Sequence, residues 1–418
     1  MGARADWLAS GVVALTGHAD GPPLVPPGRA ASVAAALGAL FDVDGAALLG
    51  ERAALTGWGR RGRISVGGAC RLLPLADGWA AVSCARPDDP ALLGAVVEHP
   101  LPDDDPWPRL TDALAAMRGA DLAERAELLG VGACPVPLSP GPTGPTAGSA
   151  TSAPDRTPIA GLPERPGPVS VVVGAATSGS ESAGEWPGGL ATADPLDLRG
   201  RLVVSFAALW AGPLCAHLLA RAGARVVTVE TPQRPDGARR GEPRFHAVLH
   251  SGERSVVLDP ARDRAALSSL VAAADVVIEA SRPRALRGFG LSAEEAVARG
   301  ATWISITAAG RASNRIGFGD DVAAGAGLVA VDHDGLPVFA GDAIADPLTG
   351  LTAAALVATR PGELHDVSMT AVVAATLDGT AGGPVDTAPP PRHRPVPAPG
   401  PELGADTAAV LAELGIRV

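Results

Sequence analysis

Asp346 is the residue of this sequence whose type and setting best fit a nucleophile. It is followed by Pro347 and an alanine-rich run, a pattern typical of a helix N-terminus with aspartate as N-cap and proline at the first helical position. The dipole and free N–H groups of such a terminus would keep the carboxylate ionised, and Gly350 would leave room for a ligand. An ionised carboxylate held in this way can attack an activated carbonyl group. An ordinary helix cap has the same local sequence, so the pattern by itself leaves both interpretations open.

Several other catalytic chemistries lack the residues that they need. All 34 basic residues are arginine, and without lysine the chain can form neither a Walker-A phosphate site nor a Schiff base to pyridoxal phosphate. The sequence contains no G-x-x-x-x-G-K motif, no complete dinucleotide fingerprint, no G-x-S-x-G elbow and no H-E-x-x-H metal spacing. We therefore expect no pyridoxal phosphate, no NAD and no metal, with arginines and backbone N–H groups binding any phosphate.

A parallel α/β sheet is predicted for residues 196–382, and this sheet would position Asp346. Short β-branched runs alternate there with amphipathic stretches long enough for right-handed crossover helices. The predicted strands are 201–206, 225–230, 255–258, 275–279 and 302–307. The predicted helices between them are 213–222, 263–273 and 293–299. The expected result is a Rossmann-like domain.

The rest of the chain is predicted to form a smaller domain, a linker and a tail. The elements expected within residues 1–134 are a helix at 30–41, strands at 70–75 and 79–83, and helices at 107–118 and 120–129. Residues 135–195 are rich in Pro, Gly, Ser and Thr, the composition of an interdomain linker, with a short strand at 169–173. Residues 383–418 form a proline-rich tail with a short helix at 405–414.

Composition narrows the class of protein further. A length of 418 residues suits two or three domains, and a net charge of -11 opposes a broad electrostatic footprint on nucleic acid or anionic lipid. The N-terminus does not resemble a signal peptide, and no stretch predicts a membrane span. Four widely spaced cysteines without a C-x-x-C pair fit a reducing compartment. We expect a soluble, cytoplasmic protein that binds neither nucleic acid nor membrane.

The strongest resemblance to a known family lies in residues 202–230. The run Leu202-Val-Val-Ser-Phe-Ala-Ala-Leu-Trp-Ala-Gly-Pro-Leu-Cys215, with Arg225-Val-Val-Thr-Val-Glu230 after it, resembles the first strand, A-G-P loop, helix and second strand of class III (CaiB/BaiF) CoA-transferases. Further motifs follow in the family's order and approximate spacing at 234–239, 252–259, 274–279, 305–307 and 345–351. The resemblance covers roughly residues 196–382.

The N-terminal region resembles the same family, but out of order. Residues 67–79, Gly-Gly-Ala-Cys-Arg-Leu-Leu-Pro-Leu-Ala-Asp-Gly-Trp, resemble a family segment that normally follows the catalytic aspartate. Residues 11–23 also echo residues 327–337, with Ser32 falling opposite Asp346. We therefore expect a fused or rearranged member, with a Rossmann-like parallel sheet domain of the class III CoA-transferase fold plus a smaller, degenerate α+β domain.

The resemblance implies an activity and a set of site residues. It implies that Asp346 attacks an acyl-CoA, and that coenzyme A then moves to a carboxylic acid through an aspartyl intermediate. Family contacts to coenzyme A correspond here to Trp210, Ala211, Gly212, Pro213, Arg239, Arg254, Ser281 and Arg282. Because family members form interlocked dimers, the resemblance also implies a homodimer.

Two departures from the family pattern suggest alternative functions. The usual Asn-Lys-Arg-Ser run is Gly252-Glu253-Arg254-Ser255, which places an acid where a basic residue would meet coenzyme A. The racemases of the family have a histidine ahead of an aspartate where this chain has Asp320-Asp321. The alternatives are a 2-methylacyl-CoA racemase or isomerase, which the missing histidine disfavours, and an inactive homologue that binds coenzyme A or serves as a scaffold.

Overall fold

A computed structural model describes residues 2–138, 171–173, 190, 195–281 and 283–417. The strands are β1 (Leu24–Val25), β2 (Cys70–Leu75), β3 (Gly78–Ser83), β4 (Ala133–Val136), β5 (Val171–Val173), β6 (Leu202–Ser205), β7 (Arg225–Glu230), β8 (Arg254–Val257), β9 (Val276–Glu279), β10 (Thr302–Thr307), β11 (Val329–Val331), β12 (Pro337–Phe339), β13 (Leu364–Ser368) and β14 (Gly383–Pro384). The helices are α1 (Ala3–Ser10), α2 (Ala30–Ala39), α3 (Gly45–Leu48), α4 (Glu51–Thr56), α5 (Asp89–Val96), α6 (Trp107–Leu114), α7 (Gly119–Leu129), α8 (Ala211–Arg221), α9 (Pro243–His250), α10 (Arg264–Ala273), α11 (Pro283–Gly288), α12 (Ala293–Ala298), α13 (Gly319–Gly325), α14 (Ala345–Thr359), α15 (Met369–Ala374) and α16 (Thr407–Glu413), with 3-10 turns at Val12–Leu15 and Gly237–Arg240.

A seven-stranded parallel sheet forms the centre of the larger unit. Its strand order is β5-β13-β10-β9-β6-β7-β8, and every neighbouring pair is parallel. β6 is buried along its whole length, as expected of a strand covered by helices on both faces. The predicted α/β fold with a parallel sheet is confirmed, and the five predicted strands match within one residue at each end.

Helix α14 lies in the centre of the main hydrophobic core. Nearly all of its residues are buried, including alanines on every side, so neighbouring helices can approach its backbone closely. Helices α8, α2 and α15 pack around it. Asp346 is therefore carried by a helix that is held from several directions.

The smaller unit is an antiparallel sheet with three helices. Its strand order is β2-β3-β4, and Leu75 pairs with Gly78 across the tight turn. Leu73, Val82 and Leu110 belong to a separate core between this sheet and the helices α5 to α7. The unit spans approximately residues 70–136.

Residues 3–56 do not belong to the smaller unit, in contrast to the expected domain of residues 1–134. Trp7, Ala30 and Leu37 share the main core with α14, because the small side chains of α2 let it lie against that helix. β1 pairs with β14, and the Glu51 carboxylate accepts hydrogen bonds from both Nε and Nη2 of Arg394 at 2.8 and 2.6 Å. The two ends of the chain are thus interlocked around one core.

The tail ends in the short helix α16 (Thr407–Glu413), inside the expected range 405–414. Among the residues that the structure describes, no helix is long and apolar enough to cross a membrane.

Candidate active site

Asp346 lies in the first turn of α14, one residue after its first residue Ala345. The N-cap position is occupied by Ile344, and the Asp346 side chain makes no capping hydrogen bond to its own helix. The helix begins early because Ala343 adopts a left-handed conformation (φ 45°) and accepts a 2.9 Å hydrogen bond from the Asp346 N–H. The ordinary-cap interpretation is therefore wrong, and the carboxylate is directed toward other parts of the protein.

The N-terminus of a second helix, α8, meets the Asp346 carboxylate. The Ala211 backbone N–H donates to this carboxylate and lowers its pKa, opposing the effect of burial. A Cβ on Gly350 would lie 2.6 Å from the Ala211 carbonyl oxygen and 3.0 Å from the Leu214 Cβ. Gly350 is thus needed for close contact between α14 and α8, so the expectation that it leaves room for a ligand is wrong.

The start of α13 also packs against the Asp346 carboxylate, in addition to α14 and the N-terminus of α8. A Cβ on Gly319 would overlap the Asp346 Oδ2 atom and the Ala343 carbonyl oxygen, so this position must lack a side chain. Asp346 remains half-buried, with part of its surface open to solvent. A carboxylate packed against three chain segments has few conformations available, which favours attack in one direction.

Four aspartates gather at this point, and we call them the carboxylate cluster: Asp320, Asp321, Asp342 and Asp346. Asp320 accepts a 2.8 Å hydrogen bond from the Ala343 N–H. Asp321 accepts hydrogen bonds from the Ser83 hydroxyl at 2.6 Å and the Phe318 N–H at 2.9 Å. Asp321 and Asp342 are fully buried.

Burial and mutual repulsion keep protons on the carboxylate cluster. Burial, followed by the charge of Asp342, raises the pKa of Asp320 to about 7. Burial also raises the pKa of Asp346 to about 7 and that of Asp321 to about 6. At neutral pH the cluster therefore exchanges protons, and Asp346 is a carboxylate for a substantial part of the time.

Arg52 of α4 is the cation of this site, and the sequence analysis missed it. Its Nε and Nη2 atoms donate to the two carboxylate oxygens of Asp342 at 2.9 and 2.5 Å. Its guanidinium lies over the rings of Trp210 and Trp58, at 4.9 and 5.7 Å from their centroids. The residues involved are separated by up to 290 positions, so no local pattern could have revealed the contact.

Trp210 and the start of α8, which are predicted to contact coenzyme A, lie beside Asp346. Trp210 occupies the N-cap position of α8 and is itself buried, edge-on to Phe245 at 5.0 Å. The next three predicted residues, Ala211, Gly212 and Pro213, form the buried first turn of the helix. Leu209, just before Trp210, has a positive φ of 73° and is 46% exposed, and with the exposed Ala208 it forms the accessible part of this loop.

The remaining predicted contacts are distributed over both edges of the sheet. Arg239 lies beyond the carboxyl end of β7, where it donates to both carboxylate oxygens of Glu230 and to the Pro401 carbonyl oxygen. Ser281 follows β9 at the same edge, with its hydroxyl oxygen buried and without a hydrogen-bond partner among the described residues.

The structure separates Arg254 from this group. Arg254 begins β8 and therefore lies at the amino edge of the sheet, opposite the loop after β6, where it pairs with Glu413 at 2.5 Å. Arg282 lies outside the described residues.

A second buried charged group supports the loop before α8, and we call it the histidine cluster: Asp236, His246, His250 and Glu253. The His250 Nδ1 atom lies 2.9 Å from Glu253 Oε2, and its Nε2 atom lies 3.7 Å from Asp236 Oδ2. Although burial opposes the charged form, the two carboxylates raise the pKa of His250 to about 9. His246 stacks on His250 at 4.4 Å.

The histidine cluster explains the acid at position 253. Glu253 is buried against His250 and the Thr228 hydroxyl, which donates at 2.7 Å, so it points into the protein and does not present its charge to a ligand. Asp236 in turn accepts a 3.0 Å hydrogen bond from the Leu209 N–H. The cluster therefore fixes the left-handed residue that leads into Trp210 and α8.

Comparison with known proteins gives consistent matches. Residues 198–399 match the model of CoA-transferase family III. The chain is 32% identical over 200 residues to a succinate–glutarate CoA-transferase of Agrobacterium fabrum, covering 41% of this chain and 50% of that protein. It is 32% identical over 168 residues to a succinyl-CoA–D-citramalate CoA-transferase of Chloroflexus aurantiacus, covering 36% and 42%. The chain thus spans about half the length of the curated relatives that it matches.

A solved structure of a CaiB/BaiF family protein from Brucella suis is 30% identical, with a TM-score of 0.40, covering 44% of this chain and 56% of that one. The family match and the sequence identities to the two transferases agree with the motifs quoted for residues 202–351. Residues 198–399 of this chain therefore match the class III CoA-transferase family.

Proposed function

We propose that the protein is a CoA-transferase that moves coenzyme A from an acyl-CoA donor to a carboxylic acid, with Asp346 as nucleophile. The Asp346 carboxylate attacks the thioester carbonyl, which releases the coenzyme A thiolate and leaves a mixed anhydride. The thiolate then attacks the aspartyl carbonyl, giving an aspartyl-CoA thioester and the free donor acid. The acceptor carboxylate repeats the two steps in reverse, which restores Asp346 and releases the new acyl-CoA.

One observation carries this proposal: a half-buried carboxylate lies where the N-termini of two helices, α8 and α14, converge. Both helices are long enough to present free N–H groups and a positive dipole end at the reacting carboxylate. These groups favour the ionised nucleophile, and they also stabilise negative charge that develops on a carbonyl oxygen in the transition state.

The positions of the arginines limit how coenzyme A binds. Arg239 is already paired with Glu230, and its side chain is only 20% exposed. We infer that backbone N–H groups and exposed side chains near Leu209 supply most contacts to the cofactor, while Arg239 holds the loop. The family resemblance further suggests a homodimer, and the spacing of the cysteines suggests a cytoplasmic protein.

Trapping of the acylated aspartate tests the proposal. The full-length protein is incubated with a panel of acyl-CoAs and then with hydroxylamine, which converts an aspartyl anhydride or thioester to a hydroxamate that peptide mass spectrometry can locate. We expect modification at Asp346 and none in Asp346→Asn. The matched control is Asp334→Asn, which removes an exposed carboxylate and should leave the modification at Asp346 intact.

Two other outcomes would contradict the proposal. Exchange of the α-proton of an acyl-CoA with deuterated solvent, without transfer of coenzyme A, would indicate a racemase. Binding of acyl-CoA with neither reaction would indicate the inactive homologue.

A further inference from the structure

Arg52 reaches the carboxylate cluster from the N-terminal part of the chain. Helix α4 carries it, and its two hydrogen bonds to Asp342 bridge 290 positions of sequence. Asp342 is fully buried and lies four residues before Asp346, in the turn that opens α14. An arginine that binds a carboxylate through two parallel hydrogen bonds fixes the position of that carboxylate better than a single contact does.

The two tryptophans restrict the guanidinium further. Trp210 is buried beneath it, and Trp58, which is 42% exposed, lies at its outer side. Gly67 completes the enclosure, since a Cβ there would lie 3.4 Å from both the Arg52 Nη2 atom and the Trp58 ring. Arg52 therefore contacts two indole rings as well as being hydrogen-bonded to Asp342.

Without Arg52, the charged side chains around Asp346 would be mostly negative. Asp320 and Asp321 face it from α13, Asp342 from the turn before α14, and the Ala211 N–H from α8. Arg315 acts on Asp321, which also lies near the buried Ser83 hydroxyl and the uncharged thiols of Cys70 and Cys134. Arg52 is the cation that acts on Asp320 and Asp346 and also pairs with Asp342.

We propose that Arg52 is a positioning residue for Asp346: it fixes the turn before α14 through Asp342, and its charge keeps Asp346 available as a carboxylate. This inference deepens the proposed function and rests on it. It also means that the site is incomplete without residues 51–58, a segment outside the matched residues 198–399.

Three substitutions separate the electrostatic role of Arg52 from a merely structural one. The first two should shift the pH at which Asp346 loses its proton in opposite directions, and the third should leave it unchanged. Arg52→Gln removes the cation and should raise the pH at which Asp346 loses its proton by about one unit. Asp342→Asn removes the carboxylate that competes for Arg52 and should lower that pH. Arg52→Lys keeps the charge without the planar fork, so it should retain the wild-type midpoint while reducing the rate of acylation.

The measurement is the pH titration of the Asp346 side-chain carbon by NMR, in full-length protein labelled at aspartate Cγ. The signal is assigned by its loss in Asp346→Asn. Arg61→Gln is the matched control, since it removes one positive charge from the same segment at an exposed position with no ion pair among the described residues. Its midpoint should equal that of the wild type.

The inference is overturned if Arg52→Gln titrates at the wild-type midpoint, or if Asp342→Asn raises the midpoint. If Arg52→Gln does not fold, Arg52→Lys still tests the inference: a midpoint equal to that of the wild type supports the role of the positive charge, and a midpoint raised by about one unit contradicts it. The titration requires no acyl-CoA, so failure of this inference is distinguishable from failure of hydroxylamine to trap an aspartyl intermediate.

Discussion

The carboxylate cluster and the histidine cluster are two buried groups of charges that differ in their ratio of carboxylates to cations. In the histidine cluster one imidazole lies between two carboxylates, and the pKa of His250 rises to about 9 because both favour its charged form. In the carboxylate cluster several aspartates share the charge of Arg52, and burial raises the pKa of Asp346 to about 7. The balance of cations and anions therefore decides which group titrates near neutral pH.

Because of this difference, the histidine cluster suits a supporting role and the carboxylate cluster suits a chemical one. The histidine cluster stays in one protonation state at neutral pH and holds the Leu209 loop, which suits a fixed support. The carboxylate cluster retains groups that gain and lose protons near pH 7, the range in which a reactive carboxylate is most useful. Each of the following predictions removes or accentuates this contrast.

The largest effect is expected for Asp346→Asn. Loss of the nucleophile should reduce transfer of coenzyme A by about 10⁴-fold or more, because an amide cannot form the acyl intermediate. The free energy of unfolding at pH 8 should not fall, since one member of an overcrowded group of carboxylates is neutralised. Transfer assays combined with urea unfolding measure both; a marked loss of stability would show that Asp346 is a structural residue.

His250→Gln should have the next largest effect, on stability. It leaves Asp236 and Glu253 facing each other without a cation, which should cost about 3 kcal/mol in the free energy of unfolding. His246→Gln is the control, because burial lowers the pKa of His246 to about 4 and its ring is neutral at pH 7. Urea unfolding at pH 7 measures the two losses, and equal losses would contradict the charge-based explanation.

The free energy of unfolding should fall over two separate ranges of pH, one for each cluster, and we call these ranges windows. The pKa of Asp320 is raised by burial from 3.8 to about 7, so its stabilising proton is present at low pH and lost as pH rises through 7. The pKa of His250 is raised from 6.5 to about 9, so its contribution is complete below 6.5 and lost as pH rises through 9.

Each window should change in one variant only. Asp320→Asn should weaken the window that ends near pH 7 without removing it, because burial also raises the pKa of Asp346 to about 7, and His250→Gln should remove the one that ends near pH 9. Urea unfolding between pH 4 and 10 provides the test; a single window shared by both variants would contradict the separation of the clusters.

The smallest effect is expected for Arg254→Gln. Its partner Glu413 is exposed, and such surface pairs contribute little to stability because solvent screens them. Since Arg254 lies at the sheet edge opposite Asp346, the dissociation constant for coenzyme A should also change less than about twofold. Calorimetric titration measures this constant, and a tenfold loss of affinity would show that the cofactor extends across both edges.

Local sequence patterns were sufficient to predict the parallel sheet and the helix that carries Asp346. β-branched runs and short crossovers define β6 to β10, since their hydrophobic period directly reflects burial on both faces. The same patterns could not show that α14 begins before Asp346, because a left-handed Ala343 is not expected of alanine.

Contacts between distant segments were not predictable in the same way. Arg52 and Asp342 are ordinary charged residues in their own neighbourhoods, and only the fold brings them together. Glu253 was interpreted as an acid facing the ligand, because sequence does not show that His250 lies beside it in the interior. Gly350 was assigned to ligand space for the same reason, whereas the structure places α8 there.

The pairing of β1 with β14 and of Glu51 with Arg394 joins the two halves of the molecule by non-covalent contacts, in addition to the backbone between them. A backbone cut between residues 138 and 171 would yield two polypeptides, one carrying Arg52 and the other the four aspartates. Neither fragment alone would contain both Arg52 and Asp346, so the site would depend on these contacts to keep the fragments together.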